Sequence, residues 1–316
     1  MVTPPAIFRS IGRAGFTLIE MSIVLVIIGL IIGGVLVGRD LINAAAVRAQ
    51  ISQIETYQTA VNTFRGKYGY LPGDIPDPVA SQYGFQARGQ YAGEGDGNGV
   101  IEGIVFNGLG GNTGTVEGAG ETVVFWEDLS KAGLIDGGFN TGLETSIVSL
   151  VSGPGVGLYF PPAKIGEGNY IYAYSGGISP NGGGVNANSQ NYFELASVSG
   201  TASGGEIVAS SGLTVAQAQN IDIKVDDGLP QSGKVMALLV TQVGSGNNPN
   251  YVYWSANGSS AGAGSTFMGG GGPTTAATAG SATTCFDNGG VIRIQNYSMG
   301  QNGGAGINCA LSFQFE

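Results

Sequence analysis

The chain has 316 residues, 12 Lys+Arg against 22 Asp+Glu, no histidine, and a formal net charge of −10. An acidic chain with no run of Lys or Arg makes nucleic acid an unexpected partner, since phosphate binding needs clustered basic groups. Without histidine, Ser-His-Asp, Cys-His and His-based metal chemistry are unavailable, no phosphate loop of the Gly-x-x-x-x-Gly-Lys-Ser/Thr kind occurs, and the spacing of Glu94, Asp96, Glu102 and Asp128 favours no carboxylate-pair hydrolysis, so no enzyme is expected.

The leader, residues 1–15, carries Arg9 and Arg13 but no apolar core of its own. It runs into Gly15-Phe16-Thr17-Leu18-Ile19-Glu20, and residues 21–38 then contain no charge. A secretory signal is cut at small residues that follow its apolar region. Here the small residue Gly15 comes first, so a cut after it would leave the apolar segment on the mature chain with Phe16 at its N-terminus. One carboxylate, Glu20, sits at the base of that segment. A charge in hydrocarbon costs on the order of 2.5–3.5 kcal/mol, so such a group marks a function and a partner. The cut would create a positive amine on Phe16, at a helix start that already has unsatisfied N–H groups and a positive dipole end. One turn later, Glu20 can neutralise its own amine or that of a neighbour.

The hexamer resembles the processing site of type IV prepilins and type II secretion pseudopilins. The resemblance implies that a prepilin peptidase cuts after Gly15 and that the amine of Phe16 is methylated. It also implies that Glu20 pairs with a neighbour's amine and sets subunit register. The expected partners are further copies in a helical homopolymer, the inner-membrane assembly platform, and the membrane itself before assembly. The expected location is the bacterial inner membrane, and then an extracellular filament.

Residues 16–38 form about 34 Å of helix, enough to span a bilayer core. Glycines at 29, 33, 34 and 38 suit either close helix–helix contact or local melting. Beyond Arg39 and Asp40 the helix continues as an apolar stripe, Val47, Ile51, Ile54, Tyr57, Val61 and Phe64, with Gln50, Gln53 and Glu55 off it. Gly66 is expected to stop it, giving a helix of about 75 Å over 16–65. The expected division is a cleaved leader at 1–15, a membrane and fibre-core helix at 16–40, an amphipathic helix at 41–66 and a head at 67–316.

Pro72-Gly73 suits the centre of a type II turn, and the phrase Tyr68-Gly69-Tyr70-Leu71-Pro72-Gly73-Asp74 is similar to pilin-like proteins of the pseudopilin side. Next comes Gly93-Glu94-Gly95-Asp96-Gly97-Asn98-Gly99-Val100-Ile101-Glu102. Oxygens at Glu94, Asp96 and Asn98 resemble the first half of a calcium loop, with Glu102 as a further candidate ligand. The match is incomplete, because position twelve is Val105, and an acidic glycine turn without metal is the competing reading. Calcium is the one candidate cofactor.

The 58 glycines, with 42% apolar and 11% charged residues, point to a β-rich, loop-heavy head rather than disorder. A short helix is expected from Glu121 to near Gly133, in a phrase that resembles pilin-like proteins. Strands are expected at 169–174, 192–197, 234–243, 250–255, 290–295 and 311–315. The alternating stretch Ile221-Asp222-Ile223-Lys224-Val225-Asp226 reads as a strand entering a turn at Asp227-Gly228. Cys285 and Cys309 would sit in an oxidising compartment and are expected to form a disulfide, as the resemblance also implies. Closing about 25 residues contributes roughly 3–4 kcal/mol in the loop-entropy treatment. The fold class is thus α+β and pilin-like, a long N-terminal helix on a Gly-rich antiparallel β head. The expected function is a filament subunit. A type II secretion pseudopilin, or a minor or tip subunit acting as an adhesin, are the alternatives.

Overall fold

A computed structural model describes residues 15–89, 95–103, 120–142, 151–175, 190–202, 205–242, 250–254, 284–287, 296–300 and 302–315. The chain divides into two units, Met1–Ala45 and Ala46–Glu316.

The first unit holds the start of one 51-residue helix, α1 (Leu18–Tyr68). None of the unit's described residues is buried. The most apolar 18-residue window of this helix has a mean hydropathy of 2.8, long and apolar enough to cross a membrane.

In the second unit, α1 buries Val47, Ile54, Tyr57, Val61 and Phe64, the predicted stripe with Ile51 half-buried. It also buries Gln50 and Gln53, which the helical pattern places off that stripe. They are inside because their amides complete a distant backbone. Gln50 Oε1 accepts from the Ile165 N–H at 3.1 Å and Gln53 Oε1 from the Lys164 N–H at 2.8 Å, while Gln53 Nε2 donates to the Pro162 carbonyl at 3.0 Å. Nor does Gly66 end the helix. It continues to Tyr68 and stops at Gly69, whose φ of +83° and N–H bond to the Arg65 carbonyl form a left-handed C-terminal cap. The ring of Tyr68 packs on Phe64, Tyr83 and Phe85. Those contacts offset the roughly 1 kcal/mol that a glycine costs inside a helix.

Among the described residues three further α-helices follow: α2 (Val79–Gln82), α3 (Glu121–Lys131) and α4 (Val215–Val225). The strands are β1 (Asn169–Ser175), β2 (Asn191–Thr201), β3 (Ile207–Ser210), β4 (Leu213–Thr214), β5 (Val235–Met236), β6 (Leu238–Gln242), β7 (Asn250–Trp254), β8 (Phe286–Asp287), β9 (Asn296–Tyr297), β10 (Ile307–Cys309) and β11 (Leu311–Gln314). The main antiparallel sheet has the order β1-β2-β11-β5, with β3 added to β2 beyond a bulge at Val198–Gly200. Two-stranded pairs β4-β10, β6-β7 and β8-β9 complete the described strands.

Both faces of β2 are covered, so all its residues but Ser197 and Ser199 are buried, the polar Asn191, Glu194 and Thr201 included. Phe193 packs against Tyr57 of α1, against Phe125 and Trp126 of α3, and against Phe315. Its neighbour Glu194 lies opposite Tyr172 in β1, whose hydroxyl donates to the Val240 carbonyl of β6.

Two strand predictions also change. The run expected as one strand at 234–243 breaks at Ala237, whose N–H bonds the Pro230 carbonyl, so β5 joins the main sheet and β6 pairs with β7. The stretch expected as a strand at 221–226 is the end of α4. A capping box starts that helix: the Gln217 N–H donates to Thr214 Oγ1, and the Thr214 N–H donates to Gln217 Oε1. The expected strand at 290–295 and the glycine tracts at 182–184 and 269–272 lie outside the described residues.

Candidate functional site

The start of α1 is built by residues 17–20. Thr17 takes the N-cap position and Glu20 the third helical one, a Thr-x-x-Glu capping box. The Glu20 N–H donates to Thr17 Oγ1 at 3.3 Å. In return Glu20 Oε2 accepts from the Thr17 N–H and from the Thr17 hydroxyl, each at 2.7 Å. A carboxylate in the first turn also meets the positive end of the helix dipole. Phe16, 82% exposed, and Gly15 precede the cap without joining it. The three-residue spacing of Thr17 and Glu20 is the sequence signature of this cap, a signal that the charge of Glu20 overshadows.

The calcium candidates fall differently. Glu94 lies outside the described residues. Asp96 and Asn98 are exposed, and each carboxylate or amide oxygen accepts an N–H two residues on, from Asn98 at 2.9 Å and Val100 at 2.7 Å. Glu102 is buried, and its Oε2 accepts from Asn98 Nδ2 at 3.4 Å. What organises this loop is a pair of buried carboxylates from elsewhere. Asp74 accepts the Gly97 and Gly99 N–H groups at 2.7 and 2.8 Å, and Glu121, first residue of α3, accepts those of Gly95 and Glu102 at 2.6 and 2.9 Å. Asn191 of β2 closes the loop from the other side, accepting from the Ile101 N–H and donating to the Gly99 carbonyl.

Asp74 owes its position to the turn before it. The Asp74 N–H bonds the Leu71 carbonyl at 3.2 Å and Gly73 has φ +88°, the predicted type II geometry. Gly73 is gripped from both sides: its N–H donates to Asp128 Oδ2 at 2.8 Å and its carbonyl accepts from Arg88 Nη1 at 3.0 Å. Arg88 and Asp128 also form a buried ion pair at 2.5 Å. A Cβ on Gly73 would stand 2.6 Å from the Glu121 carbonyl oxygen, so no other residue fits. Burial pushes the Asp74 carboxyl up to about 6 against the loop amides that favour its ionised form, and pushes Glu102 up to about 7.

The ligand oxygens of Asp74, Asp96 and Glu121 lie within 4.8 Å of one another. Calcium takes six to eight oxygens, and here the carboxylates of Asp74 and Glu121 already satisfy four backbone amides. Four backbone amides are counter-groups of these two carboxylates. A second acidic set, Asp222, Asp226 and Asp227, is likewise committed. Asp222 accepts from the Tyr297 hydroxyl at 2.7 Å and the Gly228 N–H at 3.1 Å, and burial raises it to about 7. Asp226 accepts from the Lys234 and Val235 N–H groups, and Asp227 from the Leu229 N–H and the Ser232 hydroxyl. Cys285, just before β8, and Cys309 of β10 are joined by a disulfide.

A concavity of 580 Å³ opens beside α1, lined among others by Tyr57, Leu134, Asp136, Phe139, Pro162 and Lys164.

No curated protein and no solved structure matches the chain. Residues 12–36 match the prokaryotic N-terminal methylation motif, across the cap and the exposed apolar helix described above. That match makes the start of α1 a prepilin-type signal, the kind found on type IV pilins and pseudopilins, and the long apolar helix with an antiparallel β sheet is consistent with an α+β pilin-like fold.

Proposed function

We propose that the chain is a structural subunit of a type IV pilus-like filament, processed after Gly15 and assembled through its N-terminal helix. The motif points to a structural subunit and to processing by a prepilin peptidase. One observation carries the finer reading: the apolar start of α1 buries none of its residues against its own chain. A surface of that size in water is unstable, so it needs lipid before assembly and other copies afterwards. Residues 1–15 would be the leader, and 16–40 the part that passes from bilayer to fibre core. Glu20 would pair there with the amine of a neighbouring Phe16.

The test is mass spectrometry and cryo-electron microscopy of filaments sheared from cells that express the chain. Phe16 should be the N-terminus of the dominant band, with its helix in the filament core. Glu20→Leu should still insert and be cleaved, yet filament mass should fall about tenfold or more, as loss of a charge-assisted contact implies. Wild-type filament yield from Glu20→Leu would remove the reading. The concavity beside Tyr57 favours a second reading, a scarce tip subunit whose head binds a ligand. Trace abundance in the same sheared material would shift the assignment that way, and a pseudopilus in place of surface fibres would shift it to a type II secretion pseudopilin.

A further inference from the structure

The concavity beside α1 lies wholly within the second unit, and its polar groups fall in a definite order. Gln53 stands between two of them: its Oε1 accepts the Lys164 N–H at 2.8 Å, and its Nε2 donates to the Tyr57 hydroxyl at 3.0 Å. Tyr57 in turn lies within the field of Asp136. Burial is the main cause that raises the Tyr57 hydroxyl above its usual pKa, and the Asp136 charge adds to the rise. The order across the concavity is therefore Lys164, Gln53, Tyr57, Asp136, with a cation toward one end, a carboxylate toward the other and a hydroxyl between. Lys164 and Asp136 are exposed, and neither charge has an ion partner among the described residues. We propose that the head binds a short zwitterionic peptide here, with its carboxylate at Lys164, its ammonium at Asp136 and a backbone carbonyl on the Tyr57 hydroxyl. The inference rests on the ligand-binding reading of the head given above, and it names the class of ligand.

The hydrogen bonds around the concavity favour a ligand that brings acceptor oxygens. The Gln53 amide is fully engaged, because its Nε2 also donates to the Pro162 carbonyl at 3.0 Å. By donating to the Tyr57 oxygen it leaves the hydroxyl proton for an incoming acceptor, since that proton has none among the described residues. Two further donors adjoin the lining. Trp126 Nε1 and Gln50 Nε2 are buried without a hydrogen-bond partner, which is uncommon for buried polar atoms. The Trp126 ring packs on Tyr57 and Phe139, both of which line the concavity, and Gln50 bonds the Ile165 N–H next to Lys164. Asp136 is the exception and calls for a cation. A neutral sugar supplies oxygens but no charge for either end, and a simple anion would meet Asp136. A short free-ended peptide supplies both charges and the carbonyls between them. The 580 Å³ volume is within the range of small-molecule sites, and Leu134, Phe139 and Pro162 offer apolar surface for its side chains.

The experiment titrates the full-length chain in detergent with the tripeptide Leu-Gly-Leu, reading heat by calorimetry and tryptophan emission as an independent signal, because Trp126 packs on two lining rings. Saturable binding at about millimolar concentration or below is expected. Blocking the amine by acetylation and the carboxylate by amidation should weaken it about tenfold. Asp136→Asn and Lys164→Gln should each weaken the free tripeptide about two- to fivefold, the scale of an exposed ion pair, and should leave the blocked form unaffected. Tyr57→Phe keeps the ring and should weaken both forms about fivefold. Glu55→Gln, on the same helix outside the concavity, should change nothing. Equal binding of the free and blocked forms, wild-type affinity in both Asp136→Asn and Lys164→Gln, or no saturation by the tripeptide overturns the proposal. If methyl glucoside, a neutral sugar, binds instead and Tyr57→Phe weakens it, the head still binds a ligand and only the class is wrong. If neither probe binds and cryo-electron microscopy of sheared filaments shows a second copy filling the concavity, the ligand-binding reading falls as well.

Discussion

The two units hold their carboxylates in opposite ways. In the first, Glu20 is fully exposed within its chain and its cap is made by residues three positions apart. In the second, Asp74, Glu121 and Asp128 are about 1% exposed and their partners lie 19 to 55 residues away. A local cap needs nothing from the rest of the chain to form. A long-range cradle exists only when the whole head is formed. The comparison predicts that changes in the first unit alter assembly without altering head stability, and that changes in the second do the reverse.

The most severe way to test this is at Arg88. Its guanidinium pairs with Asp128 and also holds the Gly73 carbonyl. Arg88→Leu leaves a buried carboxylate without its ion partner, a loss of about 3–5 kcal/mol. Denaturant unfolding of the detergent-solubilised chain should show that fall, while the hydrogen exchange of α1 residues 18–45 stays unchanged. An equal loss from Glu20→Leu would erase the contrast between the units.

Gly73→Ala is the next test. It combines a positive φ with a Cβ 2.6 Å from the Glu121 carbonyl. A cost of about 1–3 kcal/mol is expected for such strain, with the exchange of the Gly97 and Gly99 amides rising in step. If those amides stayed protected, Asp74 would not be the anchor of the 95–102 loop.

How much of this is legible in the sequence follows the same division. The first unit is readable because its signals are local: a glycine before an apolar run, an acid one turn in. Even the Thr17–Glu20 cap is written in the spacing. In the second unit, the helix at Glu121, the Pro72-Gly73 turn and the apolar strands near 169, 192 and 311 are readable for the same reason. Gly66 and Gly69 are equivalent as punctuation, and only the ring packing of Tyr68 decides between them. Gln50 and Gln53 look like solvent residues because their partners, Ile165 and Lys164, are more than 110 residues away. The stretch at 221–226 alternates like a strand, and its true signal is the capping box at Thr214, seven residues earlier.

Acidity should act on the head and not on the cap's role. Asp74, Glu102 and Asp222 have folded values of about 6, 7 and 7, above the 3.8 to 4.5 of unburied carboxyls, with burial the largest cause in each. Groups raised in this way bind protons more tightly when folded. Their contribution is complete below about pH 4 and is lost as pH rises through 6 to 7. Asp77 is shifted the other way by its Ser81 hydrogen bond, so its effect falls below the same window. Thermal unfolding should therefore show a more stable head at pH 5 than at pH 8. The gap should be about 1–3 kcal/mol, because a tenfold change in proton affinity corresponds to about 1.4 kcal/mol and solvent screens part of the effect. Asp74→Asn should reduce the slope without abolishing it, because Glu102 and Asp222 remain, and a flat slope in the wild type would mean that burial of these acids does not set the pH dependence.

Calcium should have the smallest effect of all. The cluster of Asp74, Asp96 and Glu121 has three carboxylates within reach of one ion. Their oxygens already accept the N–H groups of Gly95, Gly97, Gly99 and Glu102. An ion entering there would compete with these amides for the carboxylate oxygens, weakening hydrogen bonds that contribute about 0.5–1.5 kcal/mol each. Millimolar calcium is therefore expected to move the head's melting temperature by less than about 1 °C, on a scale where 1 kcal/mol corresponds to roughly 2–4 °C. A rise of several degrees, abolished by Asp96→Ala, would show that the exposed carboxylate recruits an ion. The 95–102 loop would then be held by a cation as well as by its own backbone, and the contrast between a local cap and a long-range cradle would gain a metal-dependent arm.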